Sequence, residues 1–211
     1  MVPACTGGGT DDDSYDADVA AQMSEHLEGQ GSESFAEILR SDQETTMHLH
    51  DVPYLDEWEI YEVVHHGEIH TEQWDVATSA DATLILTSFP ERFESMLTAD
   101  PGRISDPEMA LVAARDYLTM TAQGGSDYVT HLLEDVDDIE LWPEFEEEMR
   151  RVEDEFGPVV DPPHVVEADG DFTVTTYVQF NLRLERRTVT LHADGSITDE
   201  TETLAEDLLQ I

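Results

Sequence analysis

Apolar residues recur every four positions at Val19, Met23 and Leu27, and Gly29 ends the run, which predicts a short helix. A second helix is predicted from Ser34, where Ser34-Phe35-Ala36-Glu37 has the form of a capping box and Phe35, Ile38 and Leu39 share a face. The period then falls to two. Thr46 to His50 alternates, with Met47 and Leu49 expected toward the core, and Trp58-Glu59-Ile60 continues the pattern. The stretch from Gln73 to Ser88 reads as a hairpin turning across Ser79 to Asp81, and its second arm, Thr83 to Thr87, is apolar enough in the middle for a central strand. Pro90 opens a helix with Phe93, Met96 and Leu97 on one face.

The segment "ADPGRISDP" at 99–107 is the best candidate for an internal seam. Asp106-Pro107-Glu108 then combines an acceptor cap, a preset φ and an acid at the positive helix end, predicting a helix that runs to Gly124-Gly125. Another helix is expected near Ser126. Pro143 opens a third, with Phe145, Met149, Val152 and Phe156 as its apolar stripe and Gly157-Pro158 as its stop. The last fifty residues are strand-rich: Val165-Val166, a turn at Asp169-Gly170, alternation from Phe172 to Phe180, "RRTVTLH", and an "ADGSIT" turn and strand. A short helix is expected around Leu204 and Leu208. The class read from this order is α+β, an antiparallel β-sheet packed by helices. Residues 1–17 form a tether and 18–211 the folded domain. A helix followed by antiparallel strands, as in 106–198, resembles the half-cones of cystatin-like and NTF2-like folds.

Charge changes the picture of the surroundings more than that of the fold. Fifty Asp and Glu face nine basic residues, for a formal net charge of −41, and all nine bases are Arg. In dilute buffer such a chain repels itself and opposes its compact state; near 1 M salt the Debye length shrinks to about 3 Å and the repulsion is tolerable. The acid is spread along the whole chain, which fits a solvent adaptation better than one basic partner. Nucleic acid is not an expected partner, because Arg150 with Arg151 and Arg183 with Arg186 and Arg187 are the only close basic sets. No apolar run reaches the ~18 residues of a membrane span, and one cysteine excludes an intrachain disulfide or a Cys-based zinc site.

That cysteine, Cys5, closes the segment Val2-Pro3-Ala4-Cys5 and precedes Gly7-Gly8-Gly9-Thr10-Asp11-Asp12-Asp13. An aliphatic residue three before the cysteine and a small one immediately before it resemble a lipobox, and the Gly-rich then Asp-rich run resembles the tether of secreted haloarchaeal lipoproteins. The resemblance implies a leader upstream of Met1, lipidation of Cys5 with two chains, stable anchoring to the outer face of the cytoplasmic membrane, and a cell-surface location. It implies no activity.

Histidine supplies the other candidate chemistry. Five of nine fall between residues 48 and 70. His48 and His50 share a strand face about 7 Å apart, near enough for one metal. His66 or His70 would add a third nitrogen and Glu68 an oxygen, a donor set suited to Zn or Cu. Asp135-Val136-Asp137-Asp138 has calcium-loop acidity but lacks the Gly and distal Glu of an EF-hand. No nucleophile elbow or phosphate-binding Gly motif occurs. Trp58, Trp74 and Trp142 are expected as core or interface anchors. Three readings follow: a non-enzymatic, membrane-anchored surface lipoprotein with a binding or envelope role; a metal-binding protein built on His48, His50, His66 and His70; and a cytoplasmic protein of high-salt cells. The ligand, protein or small molecule, is open.

Overall fold

The structure is a computed structural model that describes residues 16–41, 43–67, 69–100, 104–122, 130–142 and 145–210. Cys5 and Glu68 lie outside the described residues. Helices α1 (Ala17–Gly29) and α2 (Glu33–Leu39) precede an antiparallel sheet A of β1 (Thr45–Leu49), β2 (Glu59–His66), β3 (Thr71–Thr78) and β4 (Thr83–Ile85), in that spatial order. Helices α3 (Pro90–Ala99) and α4 (Pro107–Met120) lead to sheet B, where β5 (Thr130–Leu133), β7 (Asp171–Phe180), β8 (Arg183–Leu191) and β9 (Ile197–Ala205) lie side by side. Strand β6 (His164–Ala168) pairs with the first half of β7, beside the half that takes β5. Helix α5 (Glu146–Phe156) falls between β5 and β6. The fold is α+β with antiparallel sheets.

Three apolar clusters explain the layering. Ala20, Met23 and Leu27 of α1 and Phe35, Ala36 and Leu39 of α2 pack on Met47, Tyr61, Val63 and Val76, one face of sheet A. Period two turns Ile60 and Ala77 to the opposite face, where they join Phe93, Met96 and Leu97 of α3, Ala113, Tyr117 and Leu118 of α4, and Phe172, Val174, Val178, Val189 and Leu191 of sheet B. Helices α3 and α4 are therefore cored on both sides, by sheet A and by sheet B. A third cluster joins Val152 and Phe156 of α5 to Leu133, Tyr177, Leu184 and Leu208.

Local chemistry sets the boundaries. The Asp106 carboxylate accepts from Met109 N–H at 2.9 Å, the expected cap of α4. Asp169 (φ 57°) and Gly170 (φ 89°) make the tight β6–β7 turn.

Five expectations need correction. Helix α2 starts at Glu33, after Ser32, and no side-chain cap bond forms there, so the Ser34 capping box is absent. Strand β4 is an edge of sheet A, apolar because both its faces are covered: Leu84 packs with the α3 and α4 cluster and Ile85 with the α1 cluster, and His26 of α1 and Gln30 just past it bond Thr83 Oγ1 and Thr83 O at 3.0 and 3.1 Å. Leu49 is 59% exposed, at the end of edge strand β1. After the expected helix start at Ser126, which lies outside the described residues, Thr130–Leu133 is the strand β5, held by register with Leu133 opposite Tyr177. Leu204 belongs to β9, since pairing with β8 extends to Ala205; Leu208 is buried beyond it, its N–H on Leu182 O at 2.8 Å.

Candidate functional site

Helix geometry turns successive residues by about 100°, so Asp116 and Tyr117 of α4 face different partners. Asp116 faces sheet A and Tyr117 faces sheet B; each meets a polar network.

The sheet A network is built across three strands. Register sets His48 opposite Glu62 and Glu62 opposite Asp75, so these three share the face that looks toward α4. Just past β1, His50 donates its backbone N–H to Ile60 O at 2.8 Å and sets Nε2 2.9 Å from Asp75 Oδ1. Asp75 is fixed from behind, its N–H donating to Thr87 Oγ1 at 2.7 Å. Tyr54, 1% exposed in the β1–β2 connector, donates its hydroxyl to Asp116 Oδ2 at 2.9 Å. Asp100 Oδ2 pins that connector by accepting from Asp56 and Glu57 N–H at 2.6 and 2.8 Å.

Burial and neighbours shift these groups. The Asp75 carboxylate, bonded to the ring, holds the His50 pKa above its ordinary value against the opposing effect of burial, with Glu62 and Asp116 adding to the rise. Burial pushes Asp116 up to about 6; the Tyr54 hydroxyl, His50 and Arg115 pull it down, and Asp75 pushes it further up. Burial, reinforced by Asp116, drives the Tyr54 phenol far above its usual range. The arrangement can take up or release a proton near neutrality.

The sheet B network is permanently charged. Arg187 Nε donates to Asp199 Oδ1 at 3.1 Å and Nη1 lies 3.4 Å from Glu185 Oε2, with the arginine, Glu185 and Asp199 side chains only 22%, 11% and 16% exposed. Tyr117 closes it through a 3.4 Å bond to Asp199 Oδ2. Burial works against the Arg187 charge, but Asp199 and Glu185 outweigh it and raise its pKa.

The expected metal set does not assemble. His50 pairs beside Ile60, whereas His66 N–H bonds Glu44 O at the opposite end of the β1–β2 ladder. Six residues of strand at about 3.3 Å each separate them by roughly 20 Å, several times what two ligands of one ion can span. His66 instead meets Thr71 Oγ1 at 3.3 Å, and His70 lies 3.5 Å from Glu72. His48 stays on the face toward α4, opposite Glu62. Among the described residues no three His, Cys, Asp or Glu side chains are grouped to hold a metal ion. The acids at 135–138 serve a 3₁₀ turn, Asp138 Oδ2 accepting from Glu134 and Asp135 N–H and Asp135 Oδ1 from Asp137 N–H. Trp58 and Trp74 pack against the core, whereas Trp142 is 73% exposed and stacks on Phe145.

Sequence reading missed Tyr54, Asp75, Asp116 and the Arg187 network. The one usable signal was an acid inside an apolar run, as in "QWDVA" and "AARDYL", and among fifty acids that signal is weak. No family model, curated protein or solved structure matches the chain, so the half-cone resemblance is an analogy of element order and the site is read from its own residues.

Proposed function

We propose that this chain is the folded body of a cell-surface lipoprotein from a high-salt environment, tethered through Cys5 and serving a binding or envelope role. One observation carries the reading: the order Val2-Pro3-Ala4-Cys5, then glycines, then aspartates, on a chain whose bases are all arginine. The first described helix fits it. Asp16 accepts from Asp18 and Val19 N–H at 3.1 Å and caps α1, leaving the Gly/Asp run wholly ahead of the first helix. No helix among the described residues is long and apolar enough to cross a membrane, so attachment on this reading falls to the lipid.

The full gene, upstream codons included, expressed in a salt-in host with labelled lipid precursor should give a labelled, membrane-associated protein. The Cys5→Ser form should be unlabelled and released. Equal recovery of both forms in the soluble fraction would refute the proposal.

A further inference from the structure

The seam between sheet A and α4 gathers titratable groups from separate elements: His50 after β1, Glu62 on β2, Asp75 on β3, Tyr54 in the connector and Asp116 on α4. Among the described residues the permanent cation that acts on Asp116 is Arg115, beside it on the same helix and already paired with Glu134 at 2.9 Å. Every other positive charge in the seam must come from a proton. Across α4, by contrast, Tyr117 faces Asp199, Glu94 and Arg187, the arginine being paired in turn with Glu185.

We propose that this seam is a pH-operated latch: in its protonated form it holds β1 and the Asp51–Trp58 connector against α4, and in its deprotonated form it releases them.

The sign follows from the partners. With a proton on His50, the imidazolium bonds Asp75, acts on Asp116 through space and cancels part of the repulsion between the two acids. With that proton gone, Asp75 and Asp116 keep their charges with no cation between the strands and the helix, and the Tyr54 hydroxyl remains bonded to Asp116 Oδ2; Glu62, held by Gln73 Nε2, adds to the negative charge around His50. Both His50 and Asp116 hold protons more tightly folded than unfolded. The contribution of each is therefore complete below its unfolded pKa and is lost as pH rises through the folded one. The two act in the same direction, so the latch weakens toward alkali. The effect does not depend on the lipid anchor. A protein held at the cell surface would meet the external pH directly.

Hydrogen exchange of the whole chain in about 3 M KCl at pH 6 and pH 9, corrected for intrinsic rates, tests it. Protection of amides 50–57 should fall about tenfold or more at the higher pH while the β7–β8 amides hold. Asp116→Asn keeps an acceptor for the Tyr54 hydroxyl and removes one of the two titrations, so its amides 50–57 should lose clearly less protection at pH 9 than those of the native chain. His50→Gln removes the cation, so those amides should be loosened already at pH 6. Equal protection of the native chain at both pH values would overturn the latch. So would a pH 9 loss as large in Asp116→Asn as in the native protein, or native behaviour of His50→Gln.

Discussion

The two faces of α4 pose one problem and solve it differently. Each presents a tyrosine–carboxylate bond, Tyr54 to Asp116 at 2.9 Å and Tyr117 to Asp199 at 3.4 Å, and each crowds further acids beside it. On sheet B the counter-charge is Arg187, ionised at any pH a folded protein meets. On sheet A it is His50, whose charge is conditional. The lesson is that a polar layer inside a core can be made permanent or switchable by one residue choice. The core around it, shared through Phe93, Ala113 and Val174, is the same.

The largest effect is expected where charge is permanent. Arg187→Gln strands Asp199 with little solvent and leaves Glu185 only Arg183, 3.5 Å away, and breaking such a buried pair costs about 3–5 kcal/mol. Denaturant unfolding in high salt should show this loss at pH 6 and pH 8 alike. A loss that varied strongly between those values would erase the contrast between the faces.

Next comes Asp116→Asn. Burial raises this acid from 3.8 to about 6, so the native state is penalised once it ionises. The substitution should stabilise the protein by about 2 kcal/mol at pH 8, and the gain should fade as pH falls through 6 toward 4. His50→Gln should have the opposite profile. It should cost about 1–2 kcal/mol below pH 6.5, diminishing as pH rises through the elevated folded value. Combining Arg187→Gln with Asp116→Asn sharpens the comparison further: if α4 insulates the networks, the changes should add within about 0.5 kcal/mol.

The smallest effect is expected at His192, whose Nδ1 lies 2.8 Å from Asp171 at an exposed hairpin end on sheet B. The pairing resembles that of His50 with Asp75, and the two rings are equally exposed, but the Asp171 carboxylate is 37% exposed against 17% for Asp75, so water screens it more. His192→Gln should leave the melting temperature unchanged within experimental scatter. A clear shift would show that His–Asp pairing, and not burial, decides the behaviour of the seam.

Much of the fold was legible because its elements are locally encoded. The Asp106-Pro107 start of α4, the Asp169-Gly170 turn and the alternation of Phe172 to Phe180 need only neighbours to act. The errors fell where distant chain decided. Leu84 and Ile85 were apolar because β4 is covered on both faces although it is an edge, and Leu204 is extended because the ladder with β8 resumes beyond it at Ala205, with Leu204 itself the bulged residue. Leu49 shows the reverse: alternation pointed it inward, but it ends exposed on an edge strand.

Histidine shows the limit most clearly. Spacing in "HLH" and "HHGEIH" suggested one cluster, whereas antiparallel register sends His50 and His66 to opposite ends of a hairpin. By itself the sequence determined the α+β class, several turns, the Asp106 cap of α4 and a charge excess of −41, since these depend on local conformation and on composition. Only the tertiary structure decided which of fifty acids matter. An acid acquires a shifted proton affinity from burial and from partners tens of residues away, as Asp116 does from Tyr54 and His50, and sequence distance carries no record of either.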